Sequence, residues 1–212
     1  MTYFKHVMAN TPFLSHPAVY LIPLAYIIGS IPFGVLIAKQ KGIDLQAVGS
    51  RSIGATNVLR TAGKGAAIAT LIGDSLKGTI AVMLGRLMIG SEFWEGVLGI
   101  TAVLGHLYPI FLSFKGGKGV ATSLGVLVPY SPFSALIVLV IWFITALLTK
   151  YSSLAAIAAC ISLPIVFLIL GESKIKFSFA IVLAFLIILR HKSNIKRLLE
   201  GRENRIGEKV KA

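Results

Sequence analysis

Three glycine-bearing polar strings interrupt an otherwise apolar chain, and each carries residue types suited to holding phosphate. The most concentrated is GHLYPIFLSFKGGKGVAT, residues 105–122, which sets Lys115 and Lys118 among Gly116, Gly117 and Gly119. Glycine lets a backbone approach a ligand closely and reach positive φ. Successive exposed N–H groups in such a turn form an anion-binding concavity, and the start of a following helix adds its positive dipole end. Lysine supplies a point charge suited to phosphate. The spacing does not meet GxxxxGK[ST] and no strand precedes it, so this is not a P-loop. His106 and Pro109 stand at the head of the string. A histidine there reads first as a hydrogen-bonded structural residue and second as a catalyst.

The second string is GSRSIGATNVLR, residues 49–60. Ser50, Ser52, Thr56 and Asn57 offer hydroxyl and amide groups, and Arg60 offers a planar fork for phosphate or carboxylate. Alone, such a string reads as a turn with a helix cap. The third is HKSNIKRLLEGREN, residues 191–204, where His191, Asn194 and Arg197 fall along one helical face. Ile195, Leu198 and Leu199 give that helix an apolar side for the bilayer or the bundle. A basic tail that only fixes topology explains the lysines but leaves Asn194 and Glu203 unexplained. Together the strings fit a site for two phosphate-bearing molecules beside the acyl-chain region of a bilayer. The only aspartates are Asp44 and Asp74, so nucleophilic triads are poorly supported, and no cluster has metal-ligand spacing.

The elements that must position these strings are membrane helices. The chain is 56% hydrophobic and 14% charged, with a formal net charge of +13. That composition predicts an all-α, polytopic transmembrane bundle forming a single domain over residues 1–212. It has an N-terminal extension, residues 1–17, and a basic tail, residues 190–212. No basic domain stands outside the apolar runs, so anionic lipid headgroups explain the charge better than nucleic acid does. The lone Cys160, in an apolar run, reads as a packing residue.

Spans are expected near residues 19–38, 65–89 and 94–111, a pair of helices over 120–148 broken at PYSP, and spans near 151–170 and 175–189. That gives about seven helical segments. The first contains GSIPFG, where Pro32 marks either a packing kink or a functional break. The second contains Asp74 and Lys77 on one face, either paired with each other or contacting a substrate. With this count, sixteen of the 21 lysines and arginines fall on one side of the membrane. The positive-inside bias makes that side cytoplasmic, with the N-terminus outside and all three polar strings facing the cytoplasm. A transporter of a phosphorylated solute is the rival reading, but transporters gather polar groups at mid-bilayer, where only Asp74 and Lys77 lie deep.

GSIPFG, GSRSIGATNVLR, GDSLKG, GHLYPIFLSFKGGKGVAT and HKSNIKRLLEGREN, in this order, resemble the bacterial acyl-phosphate-dependent glycerol-3-phosphate acyltransferases. The likeness runs from about residue 29 to residue 203. It implies a multi-pass inner-membrane enzyme with a cytoplasm-facing site. The implied reaction moves a fatty acyl group from acyl phosphate to the 1-hydroxyl of glycerol 3-phosphate, giving lysophosphatidate and phosphate without a cofactor or metal. It also implies Ser50, Lys118, His191 and Asn194 as catalytic residues, and Arg60, Thr56, Asn57, Gly116, Gly117 and Glu203 as substrate-binding ones. The chain departs from the family's common pattern at Gln46, Arg51 and Ser52. The acyltransferases that carry His followed five positions later by Asp are a separate class, and no histidine here has that partner.

Overall fold

The computed structural model describes residues 16–208. Lys5, Lys209, Lys211 and most of the N-terminal extension lie outside the described residues. Every expected apolar segment is helical. The first is split into α1 (Ala18–Ser30) and α2 (Phe33–Lys39). Pro32 causes the break, since it has no N–H to continue the helix, and Ile31 is extended at ψ 116. The polar string after α2 contains a short helix, α3 (Ala55–Thr61). Then come α4 (Lys64–Met88), α5 (Glu92–Leu107) and a 3-10 turn at Ile110–Leu112. The third span changes from α-helix to 3-10 turn before its end at Leu112, because Tyr108 and the proline after it leave the helical region. PYSP divides α6 (Val120–Tyr130) from α7 (Pro132–Thr149) at Ser131, which leaves the helical region ahead of Pro132, while Pro129 stays inside the last turn of α6. α8 (Ser152–Ile169), α9 (Lys174–Arg190) and α10 (Lys192–Leu199) complete the described chain.

Among the described residues, five segments are long and apolar enough to cross a membrane: Ala18–Lys39, Lys64–Met88, Glu92–Leu112, Pro132–Thr149 and Ser152–Ile169. α6 is about 16 Å long at 1.5 Å per residue, short of a hydrocarbon core of roughly 30 Å. Its far end is nevertheless tied to the far ends of its neighbours. Arg86 donates to the Pro129 carbonyl at 2.7 Å, and the Tyr130 hydroxyl donates to the Glu92 carbonyl at 3.0 Å. The glycine string thus starts below the end of the bundle, and α6 runs from it to the opposite end. That opposite end holds the Arg86–Glu95 and Lys176–Glu172 ion pairs. Antiparallel α7, α8 and α9 return the chain so that all three polar strings meet at the other end.

Small residues let the helices approach closely, as expected where lipid rather than water surrounds the bundle. Where α1 crosses α5, a Cβ on Gly29 would strike the Ala102 carbonyl, and one on Gly105 the Tyr26 carbonyl. Gly78 and Gly125 play the same part between α4 and α6. Large apolar side chains point outward instead: Leu148 and Ile169 are each 77% exposed and Phe133 is 75% exposed. Such a surface is stable only against acyl chains or a partner.

Candidate active site

The three strings enclose one cavity of about 250 Å³. Ser50, Arg60, Lys118, His191, Asn194, Arg197 and Glu203 line its polar end; Leu124, Leu127, Trp142, Leu163 and Leu183 line its apolar end. Thr56 and Asn57 also reach the wall. Gly116 and Gly117 do not; they lie behind Lys118 and Gly119, which do.

Asn57, 1% exposed, shapes the first string. Its amide nitrogen donates towards the carbonyls of Ser52 at 2.9 Å and of Leu45 and Val48 at 3.3 Å each. Its Oδ1 accepts the Ser50 N–H at 2.9 Å. The amide is therefore spent on folding residues 45–52 around itself, which sets Ser50 at the cavity. Arg51 takes a left-handed φ of 56° and is exposed, so only Ser52 of the two departing residues in this string reaches the cavity. Thr56 bonds Ser152 at the start of α8, hydroxyl to hydroxyl, at 3.1 Å. Arg60 donates through Nη2 to the carbonyls of Asn204 and Arg205, both at 3.2 Å. Its Nε is buried and has no partner. Burial lowers the Arg60 pKa, while Glu203 and Glu208 pull it back upward.

The glycine string is fastened from behind. The Gly117 N–H donates to the His106 carbonyl at 3.1 Å. Arg190 donates through Nε to the Gly117 carbonyl and through Nη2 to the Gly116 carbonyl, both at 3.2 Å. The Arg190 guanidinium also stacks 5.1 Å from the Tyr108 ring. A Cβ on Gly116 would meet the His106 carbonyl, and one on Gly117 the His106 ring, so only glycine fits this close seat. With the carbonyls turned back, Lys118 and the first N–H groups of α6 face the cavity. Those N–H groups have no acceptor within the helix and sit at its positive end. Burial pushes the Lys118 ammonium down to about 8; Glu203 raises it, and Arg197, Arg60 and Arg190 lower it further.

Glu203 organises the third string. Its carboxylate accepts from Arg197 Nε at 2.7 Å, Asn194 Nδ2 at 2.7 Å and Ser153 Oγ at 2.9 Å. Burial alone would raise this carboxyl, but those hydrogen bonds outweigh it and hold it below its ordinary value. The bond to Glu203 fixes the Asn194 amide so that Oδ1 is buried without a partner. His191 Nδ1 lies 2.8 Å from the Ile187 carbonyl, and a carbonyl can only accept. Nδ1 therefore carries the hydrogen, and in the neutral ring Nε2 is a bare acceptor. Burial pushes His191 down to about 4; the Ile187 bond opposes this and Lys118 reinforces it. Ser123, one turn into α6 on the cavity wall, has a buried hydroxyl without a partner. Buried polar atoms almost always find partners. Arg60 Nε, Asn194 Oδ1 and Ser123 Oγ thus leave hydrogen-bonding capacity open at the cavity wall, available to a ligand or to water.

Ser123, Ser152, Ser153 and Arg190 were not singled out in the sequence. Ser153 meets Glu203 and Arg190 meets Gly117 only through the fold, and an isolated serine in an apolar run carries no local signal.

A helical bundle with an apolar exterior is an integral membrane protein, and a cavity lined by both cationic and apolar side chains has room for an anionic head beside an aliphatic chain. Its relatives specify the class further. The profile of the family described as glycerol-3-phosphate acyltransferase matches residues 19–201. The chain belongs to that family of integral membrane acyltransferases of phospholipid biosynthesis. It is 45% identical over 186 residues to a glycerol-3-phosphate acyltransferase of Geotalea daltonii, covering 88% of this chain and 96% of that one. It is 47% identical over 203 residues to one of Brucella anthropi, covering 95% and 100%. Among solved structures, PlsY, an integral membrane glycerol 3-phosphate acyltransferase in its glycerol 3-phosphate form, superposes with a TM-score of 0.87 at 44% identity, covering 91% of this chain and 96% of that chain. The lysophosphatidic acid form of PlsY gives 0.85 at the same identity.

Proposed function

We propose that this protein transfers a fatty acyl group from acyl phosphate to the 1-hydroxyl of glycerol 3-phosphate, releasing lysophosphatidate and phosphate at the cytoplasmic face of the bacterial inner membrane. The observation that carries this reading is the division of one cavity into a cationic end, with an unpartnered Arg60 Nε and Asn194 Oδ1, and an apolar end. Two phosphates meet Arg60, Lys118 and Arg197, and the acyl chain follows α6 from Leu124 towards Leu163. The two forms in which PlsY was solved name the same alcohol and the same product. The charge asymmetry of the sequence supports the cytoplasmic orientation.

Acyl phosphate carries its own leaving group, so the task is alignment and charge stabilisation. The glycerol oxygen bonds to the acyl carbonyl carbon, the bond from that carbon to the bridging phosphate oxygen breaks, and phosphate leaves with the electron pair. Asn194 Oδ1 and His191 Nε2, both acceptors, orient the attacking hydroxyl. With its pKa near 4, His191 holds a proton poorly at neutral pH, so the departing phosphate takes it. Ser50 and the first N–H groups of α6 donate to the oxyanion. Asn57 positions Ser50, Thr56 joins the first string to α8, Gly116 and Gly117 let the glycine string seat, and Glu203 aligns Asn194 and Arg197. Among the described residues neither imidazole nor carboxylate bonds the Ser50 hydroxyl, which favours direct transfer over an acyl-serine.

The test offers purified protein glycerol 3-phosphate with acyl phosphate, acyl-CoA or acyl carrier protein thioester and measures lysophosphatidate. Product from acyl phosphate alone is expected. Equal use of acyl-CoA would remove the donor assignment, and an acyl-enzyme trapped in a single turnover would remove direct transfer.

A further inference from the structure

Asp74 and Lys77, left open above as a pair or as substrate contacts, belong to a larger group. Lys77 Nζ lies 2.8 Å from Asp74 Oδ1, 2.9 Å from His106 Nδ1 and 2.9 Å from the Ile31 carbonyl. Asp74 Oδ1 also lies 3.5 Å from His106 Nδ1, so carboxylate, ammonium and imidazole form one buried cluster. A charged Lys77 donating across the 2.9 Å contact requires a bare His106 Nδ1, with the ring hydrogen on Nε2. That second nitrogen faces the glycine string, since a Cβ on Gly117 would collide with it. The His106 carbonyl accepts the Gly117 N–H at 3.1 Å. One residue thus touches Gly117 through both ring and backbone, while Lys77 sets the angle of its ring. The same lysine reaches the α1–α2 break through Ile31, so α4, α5, the broken first span and the glycine string are joined at one buried point.

A charge pair for packing alone needs no third member. Buried pairs are often replaceable by apolar side chains without loss of stability. What such a pair leaves unexplained is an imidazole bound at one nitrogen by the lysine and seated with the other against the residue before Lys118. Asp74 and His106 also line the cavity floor.

We infer that Asp74, Lys77 and His106 form a positioning network that fixes the seat of the glycine string, and through it the placement of the Lys118 ammonium and the first N–H groups of α6. The inference rests on the reading that this string holds the donor phosphate. None of the three is a catalytic residue on this account.

The test compares wild type with Lys77→Met and with the double variant Asp74→Asn/Lys77→Met, purified and assayed with acyl phosphate and glycerol 3-phosphate. Lys77→Met leaves a buried carboxylate unpaired and lowers the melting temperature. The double variant removes both charges and recovers it. Its kcat stays down by about 10²-fold, the cost of a misplacement of roughly 1 Å, with the KM for glycerol 3-phosphate unchanged. Nitrogen-15 spectra of labelled histidine in the wild type show His106 protonated at Nε2 and bare at Nδ1, a pattern lost in the double variant. If the double variant does not fold, His106→Gln supplies the second measurement, with the same fall in kcat expected. A folded variant with wild-type kcat, or a wild-type His106 protonated at Nδ1, overturns the network. If the wild type makes no product from acyl phosphate, the donor reading fails, and the His106 spectrum still decides whether the network exists.

Discussion

Replacing Glu203 by glutamine probes the polar end of the cavity without touching a substrate-facing cation. The carboxylate accepts bonds of 2.7, 2.7 and 2.9 Å from Arg197, Asn194 and Ser153. A hydrogen bond to a charged group contributes about 1.5–3 kcal/mol. An amide keeps one acceptor oxygen but loses the charge, so a loss of about 2–3 kcal/mol in placement of Asn194 and Arg197 is expected. At 1.4 kcal/mol per tenfold, that is roughly a 30- to 140-fold fall in kcat/KM. A second effect has a definite sign. Glu203 is the main group holding the Lys118 pKa up at about 8. Without it the ammonium is lost at lower pH, so the alkaline limb of kcat/KM moves downward. The assay is lysophosphatidate formation across neutral and alkaline pH by Glu203→Gln and wild type, with the melting temperature as a check on folding. Wild-type activity with an unmoved alkaline limb would refute the argument that Glu203 organises the site.

Lys118→Ala and Arg60→Ala should each cut turnover by about 10²- to 10³-fold, the usual range for removing a preorganised charge-stabilising group, while membrane insertion and melting temperature hold. In the wild type, activity should be flat through the ordinary histidine range: His191 stays neutral down to about 4 and Lys118 stays charged up to about 8. A limb near the ordinary imidazole value would show that His191 works as an imidazolium. In a Cys160→Ala background, cysteines at the exposed positions Lys115→Cys and Arg202→Cys should resist an impermeant thiol reagent in intact cells and react after permeabilisation. Labelling of either from outside would reverse the proposed orientation.

The helical segments were readable from hydropathy because a membrane span must satisfy its backbone internally and face lipid with apolar side chains. The breaks at Pro32 and at PYSP were readable because proline acts locally. That His191, Asn194 and Arg197 share a face followed from helical spacing, and the structure puts all three on the cavity wall. The roles of single atoms were not readable. Asn57 looked like a substrate ligand, but its amide closes the turn that carries Ser50. Gly116 and Gly117 looked like the phosphate cradle, but they seat the string against His106, leaving Lys118 and Gly119 at the wall. Glu203 was expected to bind substrate, yet its carboxylate is engaged by Arg197, Asn194 and, across 50 positions of sequence, Ser153. These facts depend on which residues the bundle brings together, and sequence spacing holds no record of that.

In the proposed reaction one cavity holds the phosphates at its cationic end and the acyl chain along α6. An experimental structure with glycerol 3-phosphate and a non-transferable acyl phosphonate tests it most directly. Phosphate oxygens are expected against Arg60 and Lys118, the glycerol hydroxyl at Asn194, and the alkyl chain beside Leu124, Leu127 and Leu163. A phosphonate bound away from Lys118, or an alkyl chain lying outside the cavity, would contradict it.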